Sequence, residues 1–379
     1  MGLSKAVVPD PAASVRAFEA VAALAAPRAQ SLDENGDPPI AEVEALAKAG
    51  LLSLPFSPAL GGAGLAGGQA AARTLAPALR ILGRASLPLG RLYEGHVNAV
   101  RLVETYGSVA QRSRMADHAR RGALFGVWAA DENEEGLRIR SSGGALILDG
   151  RKIYCSGAGQ VLRPVVTAKD EANRTRMCLP RLGRGERFDL TGWTAQGMRA
   201  SLTGTVLFTG LEIDAEDMLG EPGDYHREPD FSGGAWRFAA VQVGGMEALL
   251  MGLREHLLRD GRGGDPHQSA RLGESAIAVE TARLWVERAA GLFERRQTDA
   301  ASLVAYVNLA RTAVERSALD LLERVHRSVG LQAFLRPNAI ERVSRDLATY
   351  LRQPGPDRAL GKGAEWVLSE GGAVFATRE

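Results

Sequence analysis

Two stretches carry residue types at spacings that suggest chemistry before any fold is considered. Gly62-Ala63-Gly64-Leu65-Ala66-Gly67 matches the G-x-G-x-x-G spacing of dinucleotide-binding turns, whose glycines let backbone approach a pyrophosphate at a helix N-terminus. That chemistry needs a buried strand before the turn. The preceding residues, LLSLPFSPAL, contain Pro55 and Pro58, which spoil a central parallel strand. About 20 residues on, where the ribose-binding acid should end a second strand, stands ASLPLGRLYE with Pro88 in it. The segment therefore reads as a Gly-rich turn between helices. The second stretch is RDLATYLRQPGPDRAL, residues 345–360: the end of a helix, a Pro-Gly-Pro turn and the start of another helix. Cys155, Cys178 and the six histidines form no CxxC, HExxH or related metal spacing.

The elements that must position such residues are those of an ordinary soluble protein. The chain has 379 residues, 45% hydrophobic and 24% charged, which suits two or three units around a large core. A net charge of +1 gives no global field favouring nucleic acid or an acidic membrane. Two cysteines do not make a disulfide framework, and a reducing compartment fits. The opening residues, MGLSKAVVPDPAAS, lack the apolar core of a signal peptide and the Ser or Thr of the myristoylation pattern. No apolar run approaches a membrane span. The expected location is the cytoplasm.

Periodicity divides the chain into three. Residues 1–121 read as a helical domain, with apolar residues at spacings of three and four in IAEVEALAKAGLLSL and NAVRLVETYG. Residues 122–230 read as a β-domain of short β-branched or aromatic runs separated by Gly, Asp and Asn. Within it LILDGRKIY reads as a hairpin turning at Asp149-Gly150. Residues 231–379 read as a helical bundle, from the two long amphipathic segments beginning SARLGES and ASLVAYV.

This order, with five short stretches in register, resembles the acyl-CoA dehydrogenase family along nearly the whole chain. The stretches are AGLLSLPFSPALGGAGL, FGVWAADENEEGLRI, LDGRKIYCSGAG, GWTAQGMRASLTGTVLFTGLEIDAEDMLGEPG and SVGLQAFLRPNAIERVSRDL. The resemblance implies an N-terminal α-helical domain, a middle β-domain and a C-terminal four-helix bundle, an α+β multi-domain fold. It implies FAD at the junction of the β-domain and the bundle. Tyr154 matches the aromatic residue flanking the flavin ring, and Ser156 the hydroxyl near flavin N5. Ala130 and Asp131 match residues whose backbone groups bind the isoalloxazine edge. Arg259, Arg262 and Gln268 match the Arg and Gln that bind FAD across a subunit boundary, where a planar guanidinium suits pyrophosphate. Gly330 and Asp357 are the remaining cofactor-side candidates, Asp357 also as N-cap of the last helix. A homo-oligomer follows, dimer or tetramer, or a hetero-oligomer with a paralogue.

The family reaction oxidises an acyl thioester, on CoA or a carrier protein, at Cα–Cβ. A carboxylate removes the α-proton, hydride goes to the flavin, and an electron-transfer flavoprotein or another acceptor takes the electrons. Counting from Arg345-Asp346, the usual Glu falls at Pro354, or at Gln353 with a one-residue slip; the minority position falls near Phe238. None can act as a base. Three readings follow. In the first, Glu94, in RLYEGHVNAVRL with His96 nearby, is the base of an acyl-thioester dehydrogenase, with pairing to Arg91 as its competing role. In the second, the chain is a flavin-dependent oxygenase. In the third, it is a catalytically silent partner subunit.

Overall fold

The computed structural model describes residues 10–68, 71–295 and 299–370. The N-terminal residues 1–9, read above for a targeting signal, lie outside them. Six helices come first: α1 (Pro11–Ala25), α2 (Ala29–Asn35), α3 (Ile40–Lys48), α4 (Ala76–Ala85), α5 (Leu87–Tyr106) and α6 (Val109–Arg120). Their starts are written locally. Asp10 accepts from Ala12 and Ala13 N–H ahead of α1, and Ser86 accepts from Leu89 N–H ahead of α5. Ser108 and Gln111 close a reciprocal capping box on α6. Among the described residues no strand precedes residues 62–67, which lie in turns before α4, so the dinucleotide reading fails on structure as it does on sequence.

Ten strands follow: β1 (Leu124–Trp128), β2 (Arg138–Ser142), β3 (Ala145–Asp149), β4 (Arg151–Cys155), β5 (Val161–Lys169), β6 (Thr175–Cys178), β7 (Phe188–Asp189), β8 (Gly204–Leu207), β9 (Leu211–Ile213) and β10 (Met218–Leu219). One sheet runs β10-β6-β5-β2-β3-β9, with β1 parallel on β5, and the other runs β4-β8-β7. The hairpin expected at Asp149-Gly150 is corrected by this topology. β3 pairs with β2 and β9, whereas β4 pairs with β8. Asp149-Gly150 is the corner where the chain leaves one sheet for the other, held by Phe208 N–H donating to the Gly150 carbonyl at 2.9 Å. The true hairpin is β2–β3, turned at Gly143 and Gly144, both at positive φ.

The C-terminal helices are α7 (Trp236–Arg259), α8 (Pro266–Arg295), α9 (Ala300–Val329), α10 (Ala339–Tyr350) and α11 (Pro356–Glu370). They lock onto the first domain where α7 crosses α4 in backbone contact. A Cβ on Gly83 would stand 2.3 Å from the Val241 carbonyl oxygen, and one on Gly244 would stand 2.2 Å from that of Arg80. Only glycines allow this crossing, and it fixes α5 and the β-domain relative to the bundle. RDLATYLRQPGPDRAL is helix, turn, helix. However, α11 begins at Pro356, so Asp357 lies within its first turn and not at the cap. Proline is well suited to a helix's first position because its missing N–H would be unpaired there.

Candidate active site

A cavity of about 1070 Å³ opens between the β-domain and the bundle. One wall is built by β4 and the turn after it. Strand alternation would put Lys152 and Tyr154 on one face, yet Lys152 is fully buried and Tyr154 is 65% exposed. The pairing with β8 slips between Lys152 and Cys155, and Tyr154 takes a positive φ of 54°. This irregularity returns Cys155 to the core and turns the Tyr154 ring out along the cavity, edge-on to Trp193. Below it Ser156 Oγ lies 3.1 Å from Thr203 Oγ1, which lies 2.8 Å from Ser201 Oγ. The Trp128 indole N–H donates to the Ser156 carbonyl and fixes the floor.

The opposite wall is α10 and the Pro354 turn. Arg345 organises it from a distance. Its guanidinium pairs with Asp33 of α2 at 2.7 Å, with Glu341 one turn back, and with the carbonyl of Gln196 in the cavity loop. That loop presses flat on α10: a Cβ on Gly197 would stand 2.1 Å from the Arg345 carbonyl oxygen. Next to it Met198 N–H donates to Asp346 at 2.6 Å.

The cavity suits a flat heteroaromatic ligand with polar edges, by its own unspent groups. Of its lining atoms, Trp193 Nε1, Tyr350 Oη, Ser344 Oγ and His326 Nε2 are buried without a hydrogen-bond partner among the described residues. Burial holds the Tyr350 phenol well above its usual range, so it stays protonated and available as a donor. Orphaned buried polar atoms are costly. A flavin ring would offer them acceptors and a donor, with Tyr154 as its aromatic flank. Ala130 and Ser156 line the same cavity, as Tyr154 does.

Other expected residues stand elsewhere. Asp131 does not line the cavity. Its carboxylate accepts from buried Lys152 at 2.6 Å and from Leu137 N–H, pinning the loop behind the wall. Arg259, Arg262, Gln268 and Gly330 gather at one end of the bundle. Arg262 donates to the Ser328 carbonyl at 3.4 Å, Arg259 turns to Asp260 and His256, and Gln268 is buried in α8. None of them lines the cavity within one chain, nor does the exposed Asp357.

A second chamber of about 650 Å³ adjoins the first along Val127 and Pro354. Glu94 lies in its wall, with one carboxylate oxygen bonded to Arg91 and the other to Asn98. Phe238 lines it too. His96 has a purely structural part: its Nε2 lies 2.8 Å from the Leu52 carbonyl, its Nδ1 accepts from Phe125 N–H, and burial lowers its pKa to about 4. Sequence reasoning missed Tyr350, Trp193 and Thr203, and weighed Arg91 only as a partner of Glu94. Trp193 and Thr203 stand inside a stretch that carries the family pattern and Tyr350 lies three residues beyond another, but only the fold shows that they face one space.

An aromatic flank, paired hydroxyls and unspent donors thus line one cavity at the junction of the β-domain and the bundle. Residues 12–122 match the acyl-CoA dehydrogenase N-terminal domain and residues 238–352 the acyl-CoA dehydrogenase C-terminal domain. The chain belongs to the acyl-CoA dehydrogenase family of flavoproteins. It is 24% identical over 372 residues to a probable FMNH2-dependent monooxygenase of Pseudomonas putida, covering 89% of this chain and 90% of that protein. Its fold superposes on the dibenzothiophene monooxygenase of Paenibacillus sp. A11-2 in complex with FMN and indole, with a TM-score of 0.82, 21% identity, and 94% and 98% of the two chains covered. Butyryl-CoA dehydrogenase of Megasphaera elsdenii gives 0.83 at 18% identity, covering 97% and 100%. Among the described residues no helix is long and apolar enough to cross a membrane, and no group of residues is placed to hold a metal ion.

Proposed function

We propose that the protein is a flavin-dependent monooxygenase that uses reduced FMN and dioxygen, and not an acyl-thioester dehydrogenase. One observation carries this reading: every carboxylate lining the two chambers is already engaged. Glu341 is held by Arg345, Glu94 by Arg91 and Asn98, Asp230 by Arg101, and Glu228 by Ser232. A dehydrogenase needs a carboxylate free to take a weakly acidic α-proton. Pro354 and Phe238 occupy the two places where the family keeps one. Glu94 would have to give up a bond within the protein to act. An oxygenase needs no such base. The FMNH2-dependent Pseudomonas relative and the FMN-bound Paenibacillus monooxygenase support the same choice, including FMN over the FAD expected from the family at large.

Bound reduced flavin supplies the two electrons that activate dioxygen, one atom going to substrate and the other leaving as water. This chain's residues would hold and shield it. Tyr154 flanks the ring, Ser156 and Thr203 offer hydroxyls to its edge, and Tyr350 offers a protonated phenol. Arg259, Arg262, Gln268 and Gly330 would serve the phosphate side of a neighbouring copy, which makes the working unit at least a dimer. The test supplies reduced FMN from a reductase under ¹⁸O₂. Label in an oxidised substrate, with no bleaching of the oxidised-flavin protein by acyl-CoA, supports the reading. Anaerobic bleaching by any acyl-CoA overturns it.

A further inference from the structure

The chamber beside the flavin cavity carries charge that the protein does not neutralise. Five cations line it, Arg101, Arg237, Arg311, Arg358 and Lys362, against three carboxylates, Glu94, Glu228 and Asp230. The carboxylates are engaged as described. Asp230 answers Arg101, and Glu94 answers Arg91, which lines the flavin cavity. Of the chamber's two buried cations, Arg101 thus has a carboxylate in contact and Arg237 has none among the described residues. Arg237 stands in the first turn of α7, is 3% exposed, and lies over the rings of Trp236 and Phe293 at 5.7 and 5.3 Å. Its Nε donates to neutral Asn98 Oδ1 at 2.6 Å, and its Nη1 has no partner among the described residues.

A buried guanidinium that no carboxylate touches is costly. Burial lowers the Arg237 pKa and the nearby Glu94 and Asp230 raise it, leaving it at about 10, so the charge persists at neutral pH. Arg311 approaches from α9, its guanidinium 5.1 Å from the Phe238 ring centroid and its Nη2 on the Pro354 carbonyl. Arg358 and Lys362 of α11 are exposed cations lining the same chamber. Phe231, Phe238, Leu102 and Val127 supply apolar wall between these cations and the opening at Pro354.

We propose that this chamber is the substrate site and that it selects a small organic oxyanion, a carboxylate or a sulfur oxyacid. Arg237 and Arg311 hold its charged head, and its carbon skeleton lies along Phe238 toward the flavin cavity. The inference rests on the monooxygenase reading for the word substrate, and on the chamber alone for the anion. A guanidinium fork matches a two-oxygen head bidentately, and steering by the surrounding cations would speed its capture.

The experiment is calorimetric titration of the FMN-loaded protein, at fixed chloride, with butane-1-sulfonate, butanoate and the neutral isostere butan-1-ol. The anions bind and the alcohol does not. Arg311→Gln weakens anion binding roughly 10- to 100-fold with FMN affinity unchanged. Arg237→Lys, which keeps the charge but loses the fork, weakens it roughly 10-fold. If Arg237→Lys fails to fold, Arg311→Gln alone decides. Equal binding of alcohol and anion, or anion binding indifferent to Arg311→Gln, overturns the proposal. The two readings fail separately. Anions that bind yet take no ¹⁸O refute the oxygenase and leave the anion site standing. Oxygen transfer to neutral compounds without anion binding does the reverse.

Discussion

Arg311 Nη2 donates to the carbonyl oxygen of Pro354 at 3.0 Å, tying to α9 the turn where the proposed reading finds the family's carboxylate missing. The turn lines both chambers. The oxidised-flavin protein should therefore hold its visible absorbance when mixed anaerobically with short-, medium- or long-chain acyl-CoA. Should any of them bleach it, Glu94 becomes the first base to test, and Glu94→Gln should then abolish the bleaching.

Glu94 has a structural task whatever the chemistry. It is buried, with a cation on one oxygen and an amide on the other. Glu94→Gln leaves the half-buried Arg91 guanidinium without its counter-charge, which costs less than the roughly 3–5 kcal/mol of a fully buried pair that loses one member. Denaturant midpoints should fall accordingly. Adding Arg91→Met should restore much of the loss, because the uncompensated charge, and not the vanished bond, is the larger cost. A double variant no more stable than Glu94→Gln would count against this account.

Tyr154 is so exposed without a ligand that its removal should leave the fold intact. Tyr154→Ala is expected to weaken FMN binding roughly 10-fold, the order of a lost aromatic contact, with the unfolding midpoint unchanged. Tyr154→Phe should bind like the natural protein. Quenching of flavin fluorescence during titration reads both. Undiminished affinity in Tyr154→Ala would remove the ring from the site.

Much of this was legible in the sequence because it is local. The long bundle helices and the Pro-Gly-Pro turn follow from residue type and period. Tyr154 could be placed by likeness alone; its outward turn depends on a register slip against β8, which period-2 reasoning cannot anticipate. The expected Asp149-Gly150 hairpin went wrong for a related reason. The same two residues serve a tight hairpin or a corner between sheets, and the partner strands decide. Asp33 with Arg345, and Asn98 with Arg237, join residues 312 and 139 positions apart. No spacing rule reaches that far, so the Arg237 guanidinium, buried with no carboxylate in contact among the described residues, was invisible before the fold.

Asp346 offers a pH test of how the cavity loop is held. Burial raises its carboxyl from the ordinary 3.8 to about 6, against the lowering effects of Arg342, the Met198 N–H and Arg345; Asp33 adds to the rise. The sign follows from the direction. Between about pH 4 and 6 the unfolded chain has released this proton and the folded chain has not. Stability therefore falls as pH rises through that window, by at most about 1.4 kcal/mol per pH unit, and is flat above it. Other groups titrate there too, His96 with the opposite sign, so the quantity to measure is the difference between the natural protein and Asp346→Asn. Asparagine keeps an acceptor for Met198 N–H and has no proton to release. The natural protein should lose stability relative to Asp346→Asn from pH 4 to 6 in denaturant midpoints, with a constant difference from pH 7 upward. A difference that instead grows in favour of the natural protein as pH rises would mean that Arg342 outweighs burial. The Met198 loop would then rest on an ion pair, and not on a carboxyl that ionises only near neutrality.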